Sequence, residues 1–425
     1  MELTASRVGG VPVTAGRLWG GGLIMTDLML LFVLFIAILF AMDPFIWYAD
    51  KRTVFKHVHL MFILPTLVLA WLAGRINRDP LQGGHVLKQA WVLVLFAVWV
   101  VAGALYARFH IKVVETFLIM GLYMLMMPLF ARFFADHKDP TPILNIYLSL
   151  LFLSIVIGVG WQIAEGKWNE FHEEEFLTVP LAVYFFARSR TAKARVFSIL
   201  LLIGLMLVVI KNTSFLVAGV AISYLWWIFV RKEIQKKTAL RRIFHYFMLI
   251  FVAFAVVGAY AGIKALKSTS LPDGNPKYRL YTYEQTWENF QKSPVWGKSF
   301  SGAGAEKFGL FTVAALTQVL PTHSDLLDIL AQGGLIGVAL FGYGLWRIGR
   351  YTQKRFRDRP PGALSDGLVA HFHWIAVSCI AALPVVAFNP IMLQPGKAFI
   401  LWMNLGILLG LAMRCDSCPS PKKPD

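Results

Sequence analysis

Charge is what this chain has least of. Only 15% of its 425 residues are Asp, Glu, Lys or Arg, while 57% are hydrophobic, and the mean hydropathy is +0.61. That scarcity excludes an ordinary soluble domain, and the recurring apolar stretches point to a polytopic membrane protein. Acids are the scarcer sign, 24 against 41 lysines and arginines, leaving a net charge of +17. In a soluble chain this excess would suggest a nucleic-acid partner. Here it sits mostly in short loops between apolar stretches, where cytoplasmic retention of Lys and Arg accounts for it, so no nucleic-acid partner is expected. Cysteine is nearly absent: of three, Cys415 and Cys418 make a lone CDSC, too little for a metal site. No cleavable signal is expected, because the first apolar stretch is long and runs on into further spans.

What is present is an all-α pattern of about twelve transmembrane helices and one large external loop. The spans are expected at 24–47, 58–74, 88–107, 113–133, 141–163, 173–187, 195–211, 214–230, 246–263, 325–346, 366–388 and 395–413. The sixth has only a short apolar core, and KNTS alone separates the seventh from the eighth. Loop charge sets the sidedness. RSRTAKAR (188–195) carries four positives and no acid, while RKEIQKKTALRR (231–242) and RIGRYTQKRFRDR (347–359) each carry six positives against one acid. These three are expected to be cytoplasmic, and EGKWNEFHEEEF (165–176), with five acids and one lysine, external. Both termini then fall inside. The resulting layout is an N-terminal bundle of about nine spans (1–263), an external loop (264–324), C-terminal spans (325–413) and a tail (414–425).

The external loop is the one long connection, and long loops in compact proteins are usually functional or disordered. Its aromatic content argues against disorder. Leu280, Tyr283, Trp287 and Phe290 recur at spacings of three and four, on one face of a short helix that should lie against the bundle or the outer leaflet. Arg279 opens that stretch. Its guanidinium suits phosphate oxygens, and headgroup anchoring would explain it equally well. At the loop's end, PTHSD opens the next span. Thr322 and Asp325 read as a capping box, which makes His323 the first residue inside the helix. The positive field there favours a neutral imidazole able to accept a proton, although an incidental histidine beside an ordinary cap fits the same spacing.

Further cations occur on the expected outer side. Lys211 ends the seventh span, where snorkelling accounts for it as readily as catalysis. Arg52 and Arg108 stand in external loops richer in positive charge than the usual bias allows, which suggests an anionic partner at the membrane surface. Other signals weigh less. WGKS at 296–299 lacks the first glycine of a phosphate loop, since Lys292 stands there. His371 and His373 are two apart in an apolar span and share no helix face, and Gly333 and Gly337 permit close helix packing. Glu115 and Asp27 lie near span ends, where solvation explains them.

The pairing of RLYTYEQTWENFQKSPVWGKSFSGAG (279–304) with THSDLLDILAQGGLIGVALF (322–341) closely resembles the O-antigen ligase and polymerase superfamily, nearest to the ligase. Members join an arginine-headed stretch with a downstream SP and glycines to a histidine-headed helix start. The resemblance implies a glycosyltransferase at the periplasmic face of a bacterial inner membrane, working without metal or other cofactor. Its donor would be a glycan on undecaprenyl pyrophosphate, and its acceptor lipid A-core or a related glycan. The family's loop arginine maps onto Arg279 and its histidine onto His323. A second family arginine has no counterpart here: Ser214 holds the nearest position, with Lys211 three residues earlier.

Under that resemblance the chemistry is an inverting attack. An acceptor hydroxyl, oriented or deprotonated by His323, displaces undecaprenyl pyrophosphate, whose growing charge Arg279 and Lys211 stabilise with Arg52 or Arg108. Thr322 and Asp325 would shape the acceptor side through the helix start. The absence of a D-x-D motif from the long loop fits a pyrophosphate-lipid donor better than a nucleotide sugar. A polymerase of the same superfamily would differ only in acceptor. A polysaccharide or lipid transporter would instead need broken spans or titratable groups at the bilayer midplane, where only His371 and His373 present themselves.

Overall fold

The computed structural model describes residues 80–106, 111–137, 139–165, 175–208, 212–230, 275–300, 324–388, 391–392 and 395–415, together with Leu30. The expected spans at 24–47, 58–74 and 246–263 therefore lie outside the described residues, Leu30 excepted. Among the described residues every regular element is helical: α1 (Pro80–Tyr106), α2 (Ile111–Asp136), α3 (Thr141–Glu165), α4 (Glu175–Thr178), α5 (Leu181–Arg188), α6 (Ala192–Val208), α7 (Asn212–Leu225), α8 (Asn275–Lys292), α9 (Asp325–Arg357), α10 (Asp366–Phe388) and α11 (Pro395–Arg414).

Among the described residues, four stretches are long and apolar enough to cross a membrane by length and composition: His85–Tyr106, Asp325–Arg357, Asp366–Phe388 and Gly396–Arg414. Helices α1, α3 and α6 turn outward large apolar side chains such as Leu95, Leu105, Phe152, Val156, Phe197 and Leu200. Water would not tolerate so wide an apolar exterior, whereas lipid matches it. The chain is a polytopic, all-helical membrane protein.

Helix α11 occupies the middle and packs most extensively against α2, which in turn packs on α1. The close contact comes from Gly406 and Gly410, one turn apart. A Cβ on Gly406 would lie 2.6 Å from the Met127 carbonyl oxygen, and one on Gly410 would lie 2.5 Å from that of Ala131. Small residues four apart let two backbones approach, and this supplies dispersion contact where lipid offers no hydrophobic drive. At the far end Arg414 donates to the carbonyls of Phe134, Ala135 and His137, which lie at and just beyond the end of α2. A cation there satisfies carbonyls that the helix leaves open.

Two expectations about the spans need correction. The sixth span is two short helices, α4 and α5, broken at Val179–Pro180. Proline has no amide to donate and restricts the residue before it, which favours a break here, although α2 and α10 continue through Pro128 and Pro384. Both pieces are buried, with Phe176, Leu177, Val179, Leu181, Ala182 and Val183 at 1% exposure or less, and they pack on α10. The tenth span does not stop at 346. Helix α9 runs to Arg357, so most of the basic stretch 347–359 is helix rather than loop. Lys354, Arg355 and Arg357 fall in its last turn, where positive charge complements the helix dipole.

Candidate functional site

The start of α9 carries the residues that follow His323. Ser324, in extended conformation (φ −151°, ψ 104°), is the N-cap, and its hydroxyl accepts from the Leu327 amide at 3.2 Å. The same hydroxyl donates to the Ala387 carbonyl at 2.7 Å. Asp325 follows as the first helical residue, only 1% exposed, and its Oδ2 accepts from the Met392 amide at 2.7 Å. Thus two consecutive side chains tie this helix start to the last turn of α10 and to Met392 beyond it.

The expected capping box is corrected by this geometry. Ser324, not Thr322, caps the helix, and Asp325 turns to a neighbouring turn instead of reaching back to an N-cap amide. His323 precedes the cap in the chain and is not the first residue inside the helix. Thr322 and His323 themselves lie outside the described residues, as do Lys211, Arg52 and Arg108. Sequence reasoning chose threonine because the T-x-x-D spacing fits a box; the serine two residues on fits the N-cap preference equally well.

Nine residues into α9 the helix breaks. Gly334 adopts φ 59° and ψ −159°, a region open essentially to glycine alone. Into this break fits SPVWGKSF, residues 293–300, which follows α8. The Leu335 amide donates to the Pro294 carbonyl at 2.8 Å and the Ile336 amide to that of Val295 at 3.2 Å. In return the Lys298 and Phe300 amides donate to the Ala331 and Gln332 carbonyls, both at 3.2 Å. Four bonds thereby satisfy backbone groups that the break would otherwise strand in an apolar setting, where each would be costly.

Phe300 completes the joint. It is fully buried, with its ring edge-to-face against Phe96, Trp99 and Phe117 at centroid distances of 5.5, 5.4 and 5.7 Å. Ser299 and Phe300 both take positive φ (52° and 57°), a strained conformation for residues with a Cβ. The hydrogen bonds and the aromatic socket hold it there. WGKS, dismissed as a phosphate loop, is therefore the plug that fastens α8's C-terminal end to α9. Gly333, expected to serve helix packing, lies at the same break, with Phe300 filling the space beside it.

Arg279 is the fifth residue of α8, and its backbone is helical. The expected aromatic face is only partly realised. Among the side chains described in this helix, Thr286 is buried and Tyr283 half-buried, while Trp287 is 51% exposed and packs on Phe290 at 5.2 Å. Ser214 lies in the first turn of α7. His371 and His373 are buried in α10 and point to different partners: Asn145 at 2.9 Å and the Tyr224 hydroxyl at 2.9 Å. Both sit in the first half of α10. Among the described residues no three His, Cys, Asp or Glu side chains converge on a point.

A membrane bundle in which one helix start is pinned by two side chains, and is locked by backbone bonds to the segment that follows an arginine-bearing helix, defines a class: an integral, helical membrane protein. The O-antigen ligase family model matches residues 196–342, a stretch that contains both Arg279 and His323. No curated protein matches the chain.

Proposed function

We propose that the protein transfers a glycan from undecaprenyl pyrophosphate to lipid A-core at the periplasmic face of a bacterial inner membrane, with inversion at the anomeric carbon. The observation that carries this reading is that the stretch matched by the family model holds both Arg279 and His323, and that the helix bearing Arg279 is joined to the helix that follows His323 through 293–300 and Gly334. An acceptor hydroxyl attacks the anomeric carbon as its proton passes to His323. The bond to the pyrophosphate oxygen breaks, and undecaprenyl pyrophosphate leaves with the electron pair. Arg279 stabilises that charge through its planar donor fork, joined by Lys211 and by Arg52 or Arg108. Neither metal nor other cofactor takes part.

The architecture that goes with this function is twelve spans with both termini cytoplasmic. It comprises a bundle over 1–263, a periplasmic loop over 264–324, further spans over 325–413 and a tail over 414–425. A polymerase of the same family would use the same donor with a growing polymer as acceptor. The deciding experiment is a surface-polysaccharide gel of a deletion strain. Loss of all capped core with accumulation of lipid-linked polymer supports the ligase. Core capped by a single repeat unit supports the polymerase, and an unchanged gel removes both.

A further inference from the structure

The basic end of the bundle, where α1 begins and α9 ends, carries a feature the transfer reaction does not use. On the exposed face of α9, Tyr343 and Trp346 stack at 5.6 Å with an interplanar angle of 26°. One turn on, the Arg350 guanidinium lies over the Trp346 ring, 5.3 Å from its centroid. Tyr343 and Trp346 are 47% and 53% exposed. On the adjoining helix, Lys88 and Trp91 (46% exposed) sit one turn apart. Arg347 ties the two helices at this level by donating to the Lys88 carbonyl at 2.9 Å.

Among the described residues no carboxylate pairs with this group. Helix α1 contains no Asp or Glu, and α9 has none after Asp328; Asp358, just past its end, is bonded to Arg357 at 2.9 Å. Among the described residues, Lys88, Arg347 and Arg350 make no ion pair. The level also matches a membrane boundary. Lys88 and Tyr106 bracket the apolar stretch of α1, and that separation on a helix is about 27 Å, close to a hydrocarbon thickness of about 30 Å. Trp and Tyr favour such a boundary, and an arginine held over an indole is pre-oriented toward whatever lies beside it.

We infer that Lys88, Arg347 and Arg350, framed by Trp91, Tyr343 and Trp346, bind the headgroup phosphate of an anionic phospholipid. The cations contact the phosphate, the aromatic rings lie at glycerol level, and the acyl chains run along the exposed apolar residues of α1 and α9. The inference is independent of the donor and acceptor of the transfer reaction.

The test uses the full-length protein in phosphatidylcholine bilayers, with spin-labelled phosphatidylglycerol or phosphatidylcholine as the probe. The motionally restricted fraction gives the selectivity between the two. The wild type should prefer phosphatidylglycerol, and each removed cation should cost about fivefold of that preference. Lys88→Gln and Arg350→Gln should therefore each lower the preference about fivefold, and the double variant about 25-fold. Lys193→Gln, a change at the exposed start of α6, should keep the wild-type selectivity. Thermal unfolding confirms that each variant is folded, and since both side chains are exposed, at least one single variant should be. Unchanged selectivity in the folded single or double variants would overturn the site, as would an equal loss in Lys193→Gln. Displacement of the labelled lipid by inorganic phosphate would assign the site to a soluble anion and overturn the lipid assignment.

Discussion

Gly297 and Gly334 face each other so closely that neither has room for a Cβ. One built on Gly297 would lie 2.6 Å from the Gly334 nitrogen, and one built on Gly334 would lie 2.7 Å from the Gly297 nitrogen. Both residues have positive φ, 61° and 59°. The pair joins the segment after the Arg279 helix to the helix that follows His323. Its integrity therefore governs how the segment after α8 is fastened to α9.

Gly334→Ala should be among the most damaging single changes in this chain. It places a methyl 2.4 Å from the Val295 carbonyl oxygen and forces alanine into a glycine-only conformation. We expect a loss of about 3 kcal/mol or more. Thermal unfolding in detergent reads it, with Gly342→Ala as the control. Nothing lies within 4 Å of a Cβ at Gly342, so that variant should unfold like the wild type.

Phe300→Ala should cost about 3–5 kcal/mol by emptying the socket of Phe96, Trp99 and Phe117. Phe300→Leu should recover part of that by refilling volume without the edge-to-face contacts. Equal unfolding temperatures for wild type and Phe300→Ala would refute the plug.

The two candidate caps separate cleanly. Ser324→Ala should lose about 0.5–2 kcal/mol through the N-cap, with a further loss from the orphaned Ala387 carbonyl. Thr322→Ala should cost less than Ser324→Ala, because it leaves the Ser324 cap in place. Reversal of that order, measured by unfolding at matched conditions, would restore the threonine cap.

Arg279→Lys should leave protein abundance unchanged and fail to restore full transfer, because an ammonium is a point charge where the guanidinium is a planar fork. His323→Ala should fold, bind the lipid-linked donor and lose transfer. Single-turnover assays in one lipid composition check both. Wild-type transfer by His323→Ala would end its proposed role as the base.

Sidedness is open to single-cysteine labelling with an impermeant thiol reagent. Positions in 264–324 should react in intact spheroplasts, and those in 188–195 and 231–242 only after permeabilisation. Reaction of the 231–242 stretch in intact cells would invert the proposed topology.

The helical, membrane-spanning character was legible in the sequence, because apolar length and scarce charge express directly what a bilayer permits. So was the family relation, carried by the paired stretches around Arg279 and His323. Helix interruptions were harder to read. Pro180 divides the sixth expected span, and the glycine pair in QGG breaks α9, yet hydropathy averages across both. What only the tertiary structure decided is the joint itself: that a stretch resembling a flexible turn threads into that break, that Phe300 fills a socket built from α1 and α2, and that Ser324 and Asp325 reach residues more than sixty positions away. Local spacing records which conformations a segment can adopt. Which unpaired backbone groups meet depends on segments distant in the chain, and burial in an apolar bundle then compels them to pair.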